Sequence, residues 1–228
     1  RICRAAGEME SALLDAERGV VGTAKDLARE LRVTMPASFF DRLMAPIMAE
    51  FAHEHPEIQL TLNPSSALSD LSKREADVAL RFSNKPNGSL VGVRVAHSAH
   101  ATYASPDYLA ANPKETDRNW IGWNDDRIRP PWLRKSAFPN SEIHHNSSDD
   151  LAQLKMAAEG MGMAQLSCFL GDPDRRLVRV PGSKVVKGYD LWILTHEDLR
   201  RNERVSNLIG FLKKRLSKFA PLFAGETA

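Results

Sequence analysis

Residues 31–62, LRVTMPASFFDRLMAPIMAEFAHEHPEIQLTL, contain the pattern that decides the fold. Residues 31–35 alternate as a short strand that ends at Pro36, and residues 58–62 alternate in the same way. Between them, apolar side chains recur at helical spacing, so Pro46 must lie in the first turn of this helix or kink it. A strand, a helix and a second strand in this order indicate a mainly parallel β-sheet with helices on its faces.

The alternation of strands and helices continues along the rest of the chain. Further strands are predicted at residues 77–82, 91–95, 101–104, 120–123, 142–145, 161–167, 177–180 and 191–194. Helices are predicted near 68–75, after the start signal Ser105-Pro106-Asp107, at 149–159 with Ser147 or Ser148 as its cap and Gly160 as its stop, and at 205–219. Residues 127–139 are predicted to be irregular, and the fold class is α/β.

Composition limits the classes of protein to consider. Hydrophobic residues make up 43% of the chain, which is ordinary for a globular protein and argues against disorder, while the net charge of +2 argues neither for nor against DNA binding by this segment. Apolar runs stay below the ~18–20 residues of a membrane helix, and acids follow the N-terminus at once, so we expect a cytoplasmic protein without a membrane partner. Cys3 and Cys168 lack metal-ligand spacing, and Cys168 is expected to be a buried small hydrophobe rather than a redox sensor.

Residues 1–22 carry a heptad-like seam. Its apolar members alternate spacings of four and three: Ile2, Ala6, Met9, Leu13, Ala16 and Val20. A second copy of the same helix would cover this stripe, which predicts a dimer contact. Packing onto the body of the same chain is the alternative.

Motifs of catalysis are missing from the sequence. A Gly-x-Ser-x-Gly elbow, a phosphate loop, a dinucleotide fingerprint and a His/Glu metal helix are all absent. The acid pair Asp149-Asp150 fits the first turn of a helix better than a catalytic site. We therefore expect no enzyme activity, no cofactor and no metal.

Several local strings, in a fixed order, resemble the effector-binding domain of LysR-type transcriptional regulators. They are Leu31-Arg32-Val33-Thr34, Pro46 through His55-Pro56, Asp77-Val78-Ala79-Leu80-Arg81, Tyr103 to Leu109, the glycine-rich step Gly160-Met161-Gly162, and Leu191-Trp192-Ile193-Leu194. The resemblance covers residues 31–220, and the seam at 1–22 is similar to the linker helix that pairs two subunits of this family.

The resemblance implies a type 2 periplasmic-binding-protein-like fold, with two Rossmann-like lobes joined by two crossover strands. It assigns 1–22 to a linker and dimerisation helix, 30–102 and 190–222 to effector-binding lobe I, and 103–189 to lobe II. A small metabolite would bind in the cleft between the lobes. DNA would be bound by an N-terminal helix-turn-helix that this chain is not expected to contain, in a homodimer or tetramer. A free-standing solute-binding protein of a transport system is the alternative.

In such sheets, ligands bind beyond the carboxyl ends of the strands. The candidate effector-binding residues there are Ser38, Ser66, Arg81, Trp123, Asn124, Ser148 and Ser167. His100 is a further candidate, at the point where the chain would first cross between the lobes. Ser38 and Ser148 would bring two helix N-termini to the site, which favours an anionic ligand, and Arg81 could pair with its carboxylate. The family commonly has a proline where Ser167-Cys168 stands, so this chain brings a hydroxyl and a thiol there instead.

Each candidate also has a purely structural explanation. The serines could be ordinary helix caps or turn residues. Arg81 could form an ion pair that orients a loop, and His100 could be a satisfied structural histidine. Trp123 could belong to the core, because large aromatic side chains need burial somewhere.

Overall fold

The computed structural model describes residues 30–65, 76–86, 90–123 and 131–226. The predicted helices at 1–22 and 68–75 lie outside these ranges. Among the described residues, the chain forms two compact units, one of residues 30–95 and 192–215 and one of residues 96–191 and 216–226. This division places 96–102, 190–191 and 216–222 in the second unit, whereas the family resemblance assigned them to lobe I.

The described elements begin with the strand, helix and strand that residues 31–62 predict. They are β1 (Glu30–Met35), α1 (Ala37–Phe39), a π-helical turn (Phe40–Met44), α2 (Ala45–Glu54), β2 (Gln59–Pro64), β3 (Val78–Ser83), β4 (Leu90–Ala104), α3 (Pro106–Ala111), a 3₁₀ turn (Glu115–Asp117), β5 (Trp120–Gly122), α4 (Pro131–Lys135), β6 (Ile143–Asn146), α5 (Asp150–Ala158), β7 (Met163–Ser167), α6 (Cys168–Gly171), β8 (Val178–Arg179), β9 (Val186–His196), a 3₁₀ turn (Glu197–Leu199), α7 (Glu203–Leu216), a 3₁₀ turn (Ser217–Phe219) and α8 (Ala220–Ala224).

The first unit is built on parallel strands. β1 lies between β2 and β3 and runs parallel to both, and β9 is the next strand after β3. The register pairs Thr34 with Asn63 on one side and with Ala79 on the other. Since all three strands run in the same direction, their carboxyl ends lie at one edge of the sheet.

One continuous helix, residues 37–54, covers this sheet. The backbone N–H of Ala45 donates to the carbonyl of Phe40, so the helix widens into a π turn immediately before Pro46. A proline has no N–H to donate, and the wider turn accommodates it without ending the helix. Phe51 is fully buried and its ring lies 5.2 Å from that of Phe211 on α7, so α2 and α7 share a core. Burying each such side chain contributes about 1.5–3 kcal/mol.

The second unit has a mixed sheet. Its strands follow the order β4, β7, β5 and β6, with β8 paired to β4, and β5 is parallel to its neighbours while β7 is antiparallel to β4. Trp120 on β5 is fully buried, and its indole N–H donates to the carbonyl of Phe138 at 3.1 Å. The largest side chain of this core is thus also hydrogen-bonded.

Two local predictions are confirmed in detail. Ser105 caps α3, and its hydroxyl accepts from the N–H of Tyr108 at 3.3 Å. Gly160 has φ +78°, a conformation that few L residues adopt, and it follows the end of α5.

Two other predictions are wrong. Residues 91–95 and 101–104 belong to a single strand, β4, because the polar residues between them interrupt the apolar pattern without interrupting the strand. Residues 127–139 are not wholly irregular, since α4 begins at Pro131, and a proline fits a first helical position. Leu133 on this helix is 1% exposed and anchors it in the core of the second unit.

None of the helices in the described ranges has the length and the apolar character that crossing a bilayer requires.

We expect Gly92→Ala to lower the free energy of unfolding by about 1–3 kcal/mol. A Cβ at this position on β4 would lie 2.4 Å from the carbonyl oxygen of Ile193 on β9, and backbone cannot move aside cheaply. Gly210→Ala in α7 is the matched control. Its Cβ would meet no atom within 4 Å, so it should raise the free energy of unfolding by about 0.5–1 kcal/mol. Urea unfolding measures both, and equal stability of the two variants would contradict the close approach of β4 and β9.

Candidate functional site

The carboxyl edge of β1, β2 and β3 is the first place where predicted site residues lie. Pro36 forms the N-cap of the helix that begins at Ala37, so Ser38 occupies the second helical position instead of the cap. Its side chain is 5% exposed. The structural explanation of Ser38 as the helix cap is therefore wrong, because Pro36 already has the extended backbone that an N-cap needs.

Arg81 is a buried cation at this edge, with 8% of its surface exposed. Its Nη1 donates to the carbonyl of Leu80 at 3.0 Å, and its Nη2 donates to the hydroxyl of Thr34 at 2.9 Å. Within the described part of the chain, no carboxylate pairs with it. Burial lowers the pKa of the Arg81 guanidinium below its ordinary value. The loop-orienting ion pair considered for Arg81 does not form among these residues.

A helix start lies beside Arg81 in the described part of the chain. The β1–β3 register, continued by two residues, puts Arg81 level with Pro36, where the helix starts. The rings of Phe39 and Phe82 confirm this proximity, with centroids 5.4 Å apart. The N-terminus of a helix carries partial positive charge, which repels a cation and attracts an anion.

Thr34 is a functional candidate that the sequence reasoning missed. It is 2% exposed, and its hydroxyl donates to the carbonyl of Asn63 at 3.1 Å while accepting from Arg81. The signal was present in the sequence, because Thr34 is a polar residue inside an otherwise apolar strand end. A buried hydroxyl needs partners, and its partners here link all three strands.

In the second unit, the structure brings His100 and Ser167 together. The two residues are paired across β4 and β7, and the Ser167 hydroxyl lies 3.2 Å from His100 Nε2. Gly188 on β9 packs against the imidazole, because a Cβ there would lie 2.4 Å from Nδ1. Burial lowers the pKa of His100 below its ordinary value, which favours the neutral imidazole. This pair can exchange hydrogen bonds with an uncharged polar group.

The start of α5 differs from its prediction. Neither Ser147 nor Ser148 is the cap: Asp149 is, and its carboxylate accepts from the N–H of Ala152 at 2.8 Å. Ser148 is exposed. Asp149 was assigned to the first turn on charge alone, although an aspartate one residue before a helix is also a good cap. A carboxylate at this cap is unfavourable for an anion bound at the same helix N-terminus.

The remaining candidates are Trp123, Ser66 and Asn124. Trp123 follows β5 and is 39% exposed, so it is not a core tryptophan. Ser66 and Asn124 lie outside the described residues. No group of three His, Cys, Asp or Glu side chains in the described ranges could hold a metal ion.

Cys168 is buried, as predicted, and burial raises the pKa of its thiol. It begins α6 and lies under Gly225, where a Cβ would come within 2.7 Å of Sγ. The carbonyl of Gly225 accepts from Arg179 at 2.8 Å, which fixes the C-terminal segment over the sulfur. A buried, protonated thiol is a poor nucleophile.

Comparison with known proteins identifies the class. The family model described as LysR substrate binding domain matches residues 24–217, and the chain belongs to this family. The resemblance seen in the sequence strings is thereby confirmed. The fold agrees: the CrgA regulatory domain, a LysR-type transcriptional regulator from Neisseria meningitidis, has a TM-score of 0.70 at 23% identity, covering 82% of this chain and 98% of that one. The effector domain of AmpR from Pseudomonas aeruginosa has a TM-score of 0.69 at 18% identity, covering 84% and 96%.

Curated relatives carry related names. An HTH-type transcriptional regulator of Xanthomonas campestris pv. campestris (strain 8004) is 35% identical over 109 residues, which are 48% of this chain and 30% of that protein. The HTH-type transcriptional regulator CrgA of Neisseria meningitidis serogroup B (strain ATCC BAA-335 / MC58) is 28% identical over 141 residues, 58% of this chain and 47% of that protein. The matched part of this chain thus spans less than half the length of these two relatives.

The buried imidazole predicts a pH dependence of stability. Because burial lowers the pKa of folded His100, the unfolded chain binds the proton more readily. This residue therefore contributes stability above its ordinary pKa of about 6.5, and the contribution is lost as the pH falls below that value. We expect His100→Gln to flatten the fall in melting temperature between pH 7.5 and pH 5.

Ser167→Ala is the control for this experiment. It keeps the buried imidazole, so its melting temperature should still fall between pH 7.5 and pH 5. Differential scanning calorimetry across the pH range measures both variants. An unchanged pH profile in His100→Gln would show that His100 is not protonated more easily on unfolding.

Proposed function

We propose that this chain is the effector-binding domain through which a cytoplasmic LysR-type transcriptional regulator responds to a small anionic molecule. The names of the relatives support a regulator rather than the solute-binding protein of a transport system. DNA binding is assigned to a helix-turn-helix elsewhere in the whole protein. The anion is placed at the carboxyl edge of β1 and β3, at Arg81 and the helix start that includes Ser38. The neutral His100–Ser167 pair is proposed as an effector contact of the second unit.

The observation that carries this proposal is the buried Arg81 without a carboxylate among the described residues. Removing an ion from water costs several kcal/mol unless a counter-charge or hydrogen bonds offset it. Two neutral acceptors offset this cost only in part. An anionic ligand would supply the missing charge and would use the helix N-terminus at the same time.

A second buried arginine, Arg118, has surroundings that compensate its charge without a ligand. Arg118 is 9% exposed, and it donates to the carbonyls of Asn112 and Pro113, just after the end of α3. Its guanidinium also lies 5.7 Å from the ring centroid of Phe138. The negative end of a helix and an aromatic face both favour a cation. Arg81 lies beside a helix start instead, and no carboxylate among the described residues compensates its charge.

No catalytic step belongs to this proposal. Burial raises the pKa of the Cys168 thiol, which makes this side chain a poor nucleophile. The family is one of regulatory domains, and the candidate groups are those that hold a ligand rather than transform it.

The test compares Arg81→Met with Arg118→Met as the matched control, using a thermal-shift screen of small organic acids and the corresponding amides. Acids that bind should stabilise the wild-type chain by about 2.7 kcal/mol when present at 100 times their dissociation constant. We expect the melting temperature of Arg118→Met to be lower than that of the wild type but still to rise when the acid is added. The melting temperature of Arg81→Met should not rise with the acid. Equal stabilisation of Arg81→Met by the same acid would remove Arg81 from the site and end the proposal of an anion there.

Self-association is proposed on the seam of residues 1–22, which lies outside the described residues. Removing these residues should shift the sedimentation profile toward a smaller species, because the apolar stripe would lose its partner helix. A truncated chain with the oligomeric state of the complete one would favour packing of the seam onto its own chain.

A further inference from the structure

We propose that the effector offers a single carboxylate to Arg81, and that Thr34 is the residue that positions Arg81 to receive it. This inference rests on the proposed function, since it names the ligand class and a positioning residue of the same site. It is drawn from the charges at the sheet edge and from the direction of two hydrogen bonds.

Among the described residues at the ends of β1, β2 and β3, the formal charge is +1. The strand ends and the residues that follow them are 36–38, 63–65 and 81–83, and Arg81 is the only ionisable residue among these nine. One buried cation neutralises one negative charge. A phosphate, with its second charge, would bury an uncompensated charge at this edge, whereas a monocarboxylate would not.

The Thr34 hydroxyl fixes the orientation of the guanidinium. A hydroxyl has one proton to donate, and Thr34 donates it to the carbonyl of Asn63 at 3.1 Å. The oxygen can therefore only accept toward Arg81, whose Nη2 lies 2.9 Å away. Because Asn63 is the β2 partner of Thr34 in the sheet register, the acceptor is itself held by the backbone of two paired strands.

The fixed guanidinium keeps donors for a ligand. Of its five N–H groups, one bonds to Leu80 and one to Thr34, and within the described residues the other three make no hydrogen bond. The planar fork of an arginine matches the two oxygens of a carboxylate. Without Thr34, the guanidinium would lose the bond that sets the plane of this fork.

The experiment measures dissociation constants of sodium acetate, acetamide and inorganic phosphate at constant ionic strength by ¹⁵N-detected NMR titration of the wild-type chain. Thr34→Val removes the hydroxyl and keeps the size of the side chain, whereas Thr34→Ala removes both. Thr34→Ser keeps a hydroxyl at this position. Thr195→Val is the matched control, because Thr195 is equally buried at 2% and donates to the carbonyl of Asp77, just before β3 and four residues from Arg81.

We expect acetate to bind more tightly than acetamide or phosphate. Loss of the Thr34 hydroxyl should weaken acetate binding on the order of tenfold, as for a hydrogen bond to a charged group. Thr34→Ser and Thr195→Val should stay within about threefold of the wild type. Acetamide binding should change little in any variant, which separates positioning of the charge from a general loss of structure.

The outcomes distinguish the two proposals. If Arg81→Met loses acetate binding while Thr34→Val and Thr34→Ala keep it, the positioning role is wrong and the proposed anion site stands. Phosphate that binds as tightly as acetate would overturn the choice of a monocarboxylate. If Arg81→Met itself keeps acetate affinity, the proposed function fails at this site.

Discussion

The parallel pairing of β1 with both β2 and β3 is the constraint on which the site depends. It brings three strand ends to one edge and starts the helix of residues 37–54 at the same edge. If β2 and β3 ran antiparallel to β1, Asn63 and Arg81 would lie at the opposite end of the sheet from Thr34. The Thr34 hydroxyl could not then bond to both, so the cation, its orienting hydroxyl and the helix start exist together only in this topology.

Sequence reasoning succeeded where the signal is local. The serine that caps α3 and the glycine after α5 were identified from the backbone chemistry that each position needs. It failed at Asp149, where a serine pair competed with an aspartate for the same role, and at β4, where polar residues interrupt the apolar pattern inside one strand. Thr34 was missed because its importance comes from Asn63 and Arg81, which are distant in sequence and meet it only in the folded sheet.

The proposed contacts of the two units differ in their chemistry. In the first unit, a cation and a helix start favour negative charge. In the second, burial keeps His100 neutral and Ser167 is its partner, while the helix start that could have attracted an anion is capped by a carboxylate. Each unit on its own would therefore select a different functional group of an effector, a carboxylate in the first and an uncharged polar group in the second.

In the proposed site, the charge of Arg81, which no carboxylate among the described residues balances, would also supply free energy for regulation. A ligand shifts a conformational equilibrium only by the difference in its affinity for the two states. Desolvating Arg81 costs free energy in the unliganded chain, and a bound carboxylate recovers part of it only in conformations that keep the guanidinium fork intact. Thr34 orients the guanidinium and is itself hydrogen-bonded to the sheet backbone at Asn63. The free energy that a bound carboxylate recovers therefore depends on the folded edge of the first unit. A positioned buried cation is thus a physical source for the differential affinity that a regulatory domain needs.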